Sequence, residues 1–95
     1  MLKYLKDHIM EELDGAIDYM TKAVEYKDHE CGAMFKSMAM MELDHANHLV
    51  KLFNSMKTGV KETDAERVEM YKAIMDGYTT AMGKLESLKK LYWAI

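Results

Sequence analysis

Glu42 and His45 stand three residues apart, as Glu-x-x-His, in a row that otherwise reads as an apolar helix seam: Phe35, Met38, Glu42, His45, Leu49, Leu52, Met56. The steps alternate three and four, which keeps all seven on one side of a helix. A second row, Leu5, Ile9, Glu12, Ala16, Tyr19 and Ala23, is interrupted by Glu12 alone. Carboxylates are costly to bury unless paired, hydrogen-bonded or bound to a cation. A divalent cation would account for all three intrusions. Glu-x-x-His puts a carboxylate and an imidazole one turn apart, so the first can bridge two metals while the second caps one. A di-metal carboxylate site in a four-helix bundle takes one Glu from each of two helices and a Glu-x-x-His from each of the other two. Glu12, Glu42 and His45 are half of that set, and a twofold-related second chain would supply the rest. The competing reading is a buried Glu12–His45 ion pair with Glu42 on a wet rim.

These residues need long helices to carry them. Helix 1 is predicted over about 2–27, with Leu5, Ile9, Leu13, Ala16, Ile17, Met20 and Val24 on its apolar face. Asp28-His29-Glu30-Cys31-Gly32 breaks the pattern, and Asp28 suits an N-cap. Helix 2 is predicted over about 29–57, with Gly59 fitted to its C-terminal cap. Thr63-Asp64-Ala65-Glu66 spells a capping box, so helix 3 should run over about 64–94. The short first turn makes helices 1 and 2 an antiparallel hairpin, with Glu12 and the Glu42/His45 pair at similar depths. Helix 3 has a ligand-free seam of Val68, Tyr71, Met75, Tyr78, Met82 and Leu85, and Gly77 and Gly83 inside it mark close contacts or a bend.

The expected fold class is therefore all-α: a helical hairpin plus a long third helix in one domain over 1–95, dimerising into a four-helix bundle. Ninety-five residues allow one modest core. A net charge of −3 with scattered lysines excludes a basic nucleic-acid face. No apolar run is long enough to span a bilayer, and the N-terminus has no cleavable-signal pattern, so no membrane partner is expected. The single Cys31 forbids an intrachain disulfide and, as a small buried residue, fits a reducing, cytoplasmic setting.

Glu11-Glu12-Leu13-Asp14-Gly15-Ala16-Ile17-Asp18-Tyr19, followed by Met41-Glu42-Leu43-Asp44-His45-Ala46, resembles the ferritin-like superfamily. Encapsulated ferritins are the more similar group and rubrerythrins the more distant. The resemblance covers helices 1 and 2. It implies a ferroxidase-type di-iron oxidoreductase in which a homodimer, or a higher even oligomer, oxidises Fe(II) with dioxygen. By it, Glu12, Glu42 and His45 are the iron ligands, two ions per dimer site, with Mn or Zn as possible occupants. Tyr19 matches an aromatic neighbour of such sites, and Asp14 and Asp18 would lie near an access path. Helix 3 is longer than that group's pattern. No Gly/Pro-rich linker leads to a docking peptide, so an encapsulin shell is not the expected partner.

The remaining candidates have plainer readings. His48 reads as a partly exposed histidine, with support of the ligands or extra ligation as the alternative. His8, one turn before Glu12, reads as surface, with pairing to Glu12 as the alternative. Eleven methionines suit flexible packing better than Cu(I) binding. Tyr71 and Tyr78 read as core or interface, and Tyr92-Trp93 as a cover for an apolar surface. A second function class stays open: a non-catalytic scaffold or assembly module, phage- or prophage-encoded, that keeps the ferritin-like fold.

Overall fold

The computed structural model describes residues 1–56 and 62–94. Three helices make up the described chain: α1 Leu2–Glu25, α2 Glu30–Ser55 and α3 Asp64–Trp93. They form a rod of 52 × 19 × 15 Å. α1 is the central element and packs against both others. Its buried line is Leu2, Leu5, Ile9, Leu13, Ala16, Met20 and Ala23, a three/four repeat that leaves one flank to each neighbour.

The first turn is tighter than the sequence suggested. The N-cap of α2 is His29, in extended conformation and with no side-chain cap bond, and not Asp28. The backbone closes the turn itself: the His29 amide donates to the Tyr26 carbonyl at 2.9 Å and the Gly32 amide to the His29 carbonyl at 3.0 Å. The Gly32 amide, one of the donors an N-cap side chain could serve, is thus already satisfied by backbone. A Cβ on Gly32 would overlap the Tyr26 carbonyl, so the turn requires glycine there.

α2 ends at Ser55, and the expected cap Gly59 lies outside the described residues. The end is served by a cation. The Arg67 guanidinium donates to the carbonyls of Met56, Phe53 and Asn54, which are left open at a helix terminus. α3 starts at the expected capping box: Thr63 Oγ1 accepts from the Glu66 amide at 3.1 Å, and the Glu66 carboxylate accepts from the Thr63 amide at 3.3 Å. Its far end is served by Lys27, whose ammonium donates to the Ala94 carbonyl at 2.9 Å and the Leu91 carbonyl at 3.4 Å. Lys36 lies over the rings of Trp93 and Tyr92, 4.5 and 5.6 Å from their centroids. The Met1 ammonium lies 3.9 Å from the Glu62 carboxylate at the opposite pole. α3 therefore runs parallel to α1, and α2 runs against both.

The face α3 uses differs from the seam expected for it. Ile74, Ala81 and Leu85 are buried, while Val68 and Tyr71 are exposed. Only Leu85 is common to the two lines. The small residues explain the rotation: Gly77 and Ala81 carry little hydrophobic weight in a sequence but let α3 approach α1 closely. The Met10 thioether fills the space a Cβ on Gly77 would need. Gly83 has open space around it and marks no close contact. Tyr78 is half-buried and its hydroxyl donates to Asn47 Oδ1, a polar tie between α3 and α2 in addition to the Arg67 contacts. No described helix is long and apolar enough to cross a membrane.

Candidate metal centre

α2 buries Gly32, Ala39, Leu43, Ala46 and Phe53. This line is turned from the seam read in the sequence, so Phe35, Met38, Glu42, Leu49 and Met56 become a half-buried flank and His45 and Leu52 are exposed. Glu42 and His45 thus stand at the edge of the α1–α2 interface and not inside a closed core. No charged residue is fully buried within the described chain. The small Ala39 and Ala46 of α2 are buried in the same core as Ala16 and Ala23 of α1, together with larger side chains such as Leu13 and Leu43.

Across the α1–α2 interface the three expected ligands meet. One donor atom from each of Glu12, Glu42 and His45 lies within 4.8 Å of the others, the one such grouping of His, Cys, Asp or Glu among the described residues. Glu12 and Glu42 are half-buried, Glu12 with 15% of its side chain accessible, against 56% for the exposed His45. His45 Nδ1 lies 3.7 Å from Glu12 Oε2. The Glu12–His45 pair of the competing reading is therefore present, but at the limit of ion-pair range. Glu42 turns toward Glu12 over Gly15, where an added Cβ would meet Glu42 Oε2 at 3.1 Å. Gly15 is thus the space that admits the second carboxylate.

The electrostatics of the apo site are unfavourable. The adjoining Glu12 carboxyl, which would share a proton with it, is the largest cause raising the Glu42 pKa; burial and repulsion by Glu12 add to it, and the nearby His45 and His8 charges oppose it. Glu12 Oε2 is buried and has no hydrogen-bond partner. The two observations agree: with both carboxylates ionised there is no proton between them, and Glu12 Oε2 is orphaned. A buried, unpaired carboxylate oxygen is expensive, and a cation is one of the few partners that would satisfy it.

The donor set fits a divalent transition metal. Two carboxylates and one imidazole are the mixture iron, manganese and zinc accept. Donors at about 2.1 Å from one ion lie at most roughly 4.2 Å apart. The 4.8 Å grouping would therefore contract slightly around one ion, or serve two ions bridged by a carboxylate.

The other candidates divide. His8, read as surface, places Nε2 3.3 Å from Glu12 Oε1, with Nδ1 3.8 Å from Glu11 Oε2 and its ring stacked on Tyr4. Its spacing of four residues before Glu12 was the available signal. Tyr19 stacks on Phe35 at 6.3 Å between centroids, on the same flank two turns along. His48 is exposed and lines a cleft with Asp44, Asn47 and Tyr78 on the α3 side of α2, so it is not brought to the trio. Asp14 is exposed beside the α1–α3 groove, among Met10, Ile17 and Gly77, and does not join the ligands either. No family model, curated protein or solved structure matches the chain, so the ferritin-like resemblance rests on the residues that suggested it.

Proposed function

We propose that the chain is a ferritin-like metal-binding protein, a di-iron oxidoreductase of ferroxidase type whose site is completed when two copies pack hairpin to hairpin. The observation that carries this reading is the convergence of Glu12, Glu42 and His45 around an orphaned carboxylate oxygen. The same flank supports a second copy. Met34, Met41 and Leu52 are exposed on it, in line with His45 along α2. α3 lies on the other side of α1 and leaves this flank open. Two chains would bring four carboxylates, the charge that neutralises two divalent ions.

In this reading Glu42 bridges, Glu12 binds terminally or bridges, and His45 binds terminally. Bound iron supplies the electrons that reduce dioxygen. The protein's part is to hold two carboxylates closer than they would lie unaided and to confine water on the covered side through Ala16, Ala39 and Leu43. Packing of the mate's Met and Leu side chains over His45 would dry the exposed side. Fe(II) and dioxygen are the substrates, and Mn or Zn would occupy the same donors without that turnover.

The test is aerobic addition of Fe(II), followed by ferric absorbance, for the wild type and Glu42→Ala, with the mass in solution measured alongside. Oxidation well above the buffer rate in the wild type, background in the variant and an even oligomer are the expected results. Equal slow oxidation in both would instead favour the non-catalytic scaffold. That second reading draws on Val68, Tyr71, Leu91 and Trp93, apolar side chains exposed on α3 that the metal site does not use.

A further inference from the structure

Among the described residues, His8 is a side chain outside the trio that lies against Glu12, at the carboxylate oxygen other than the one His45 approaches. Glu12 has two oxygens in different circumstances. Oε2 points to His45, is buried and has no hydrogen-bond partner. Oε1 lies 3.3 Å from His8 Nε2. His8 is itself held in place. Its ring stacks on Tyr4 at 5.8 Å between centroids with planes 13° apart, and its other nitrogen lies 3.8 Å from Glu11 Oε2. All four residues are on α1, so their spacing is fixed by the helix and does not depend on a second chain.

Resting on the metal-site reading above, we propose that His8 is a positioning residue: it engages Glu12 Oε1 and so leaves Oε2 alone to bind the cation, setting Glu12 as a one-oxygen ligand. A carboxylate free on both sides can close on one ion with both oxygens, which fills a coordination position. A partner on the outer oxygen withholds it and keeps that position open, as partners behind metal ligands commonly do. The stacked Tyr4 and the outer Glu11 hold the imidazole over Glu12 as the carboxylate draws in toward an ion. This role is separate from ligation, because the His8 contact is made to Oε1, whereas His45 approaches Oε2.

Anaerobic Co(II) is the probe, since its visible absorption reports coordination number and geometry. His8→Phe keeps the ring on Tyr4 and removes the donor, while His8→Gln keeps an N–H donor. His8→Phe should bind Co(II) about 10–100-fold more weakly, the usual cost of losing such a partner, with a changed band shape at saturation. His8→Gln should recover most of the affinity and the wild-type spectrum, and circular dichroism should be the same for all three. Wild-type affinity and spectrum in His8→Phe would overturn the proposal while the metal site stands. A loss in His8→Gln as deep as in His8→Phe would overturn it in favour of direct ligation by His8. Failure of the wild type to bind Co(II), Zn(II) or Fe(II) would remove the site and this role together.

Discussion

The α1–α2 hairpin and α3 are both long amphipathic structures, and they spend their apolar residues differently. The hairpin carries small buried residues on both helices, Ala16 and Ala23 on α1 and Ala39 and Ala46 on α2, and sets three ionisable side chains against each other. α3 packs on α1 along Ile74, Ala81 and Leu85 and leaves Val68, Tyr71, Leu91 and Trp93 exposed. Close helix contact in one region thus creates an electrostatic problem that, in the proposed reading, a cation would solve, and in the other it only secures a brace. The C-terminal end of that brace is held by cations from the hairpin, Lys27 at Leu91 and Ala94 and Lys36 at Trp93, while its own Arg67 closes the end of α2.

The sharpest way to break this contrast is to empty each interface in turn. Phe53 is the largest fully buried side chain and also lies 5.4 Å from the Arg67 guanidinium. Phe53→Ala should cost about 3–5 kcal/mol in urea unfolding, through the cavity and the loosened end of α2. Leu85→Ala should fall near the lower end of about 2–5 kcal/mol, because α3 meets chiefly one neighbour and can settle into the gap. A larger loss for Leu85→Ala would show that α3 and not the hairpin is the stronger half.

Smaller effects separate the two glycines of α3. Gly83→Ala should stabilise by about 0.5–1 kcal/mol in thermal unfolding, since it gains helix propensity with nothing in the way. Gly77→Ala should gain less, because the Met10 thioether must first move. Equal gains would mean that the α1–α3 contact at Gly77 is loose.

The mildest change is with pH. The Glu42 pKa is raised in the folded apoprotein, so the fold favours its protonated form. The contribution is complete below the ordinary glutamate pKa and is lost as pH rises through the raised value. Apoprotein stability attributable to this group should therefore fall over that window, and Glu42→Gln should flatten the profile. An unchanged profile in Glu42→Gln would remove the carboxylate pair as its source.

The helices and the convergence of Glu12, Glu42 and His45 were readable because both depend on local spacing. Three/four periodicity fixes what lies along one helix, and the short first turn fixes which residues share a height. The rotation of each helix about its axis was less readable. Choosing among adjacent apolar lines depends on alanines and glycines, whose contribution is to permit approach rather than to hide much surface. That is why the α3 seam was misplaced onto Val68 and Tyr71, and why Glu42 and His45 were expected deeper than they lie. His8 was undervalued for a related reason: a histidine one turn from a glutamate is common, and only the direction of the Glu12 oxygens distinguishes this one. The Arg67 and Lys27 clamps join residues whose nearness is set by three helices together, which no local pattern encodes.

Because α3 runs alongside α1 in the same direction, Met1 and Ala94 sit at opposite tips of a body 52 Å long. A neighbour laid head to tail with the two trios facing would hold the copies of Met1 roughly 33 Å apart, twice the eleven-residue rise from Met1 to Glu12, whereas one laid in the same sense would bring them side by side. Fluorescent tags attached at the amino end would therefore read out the mutual orientation of two molecules, with the dyes about three helical turns from Glu12.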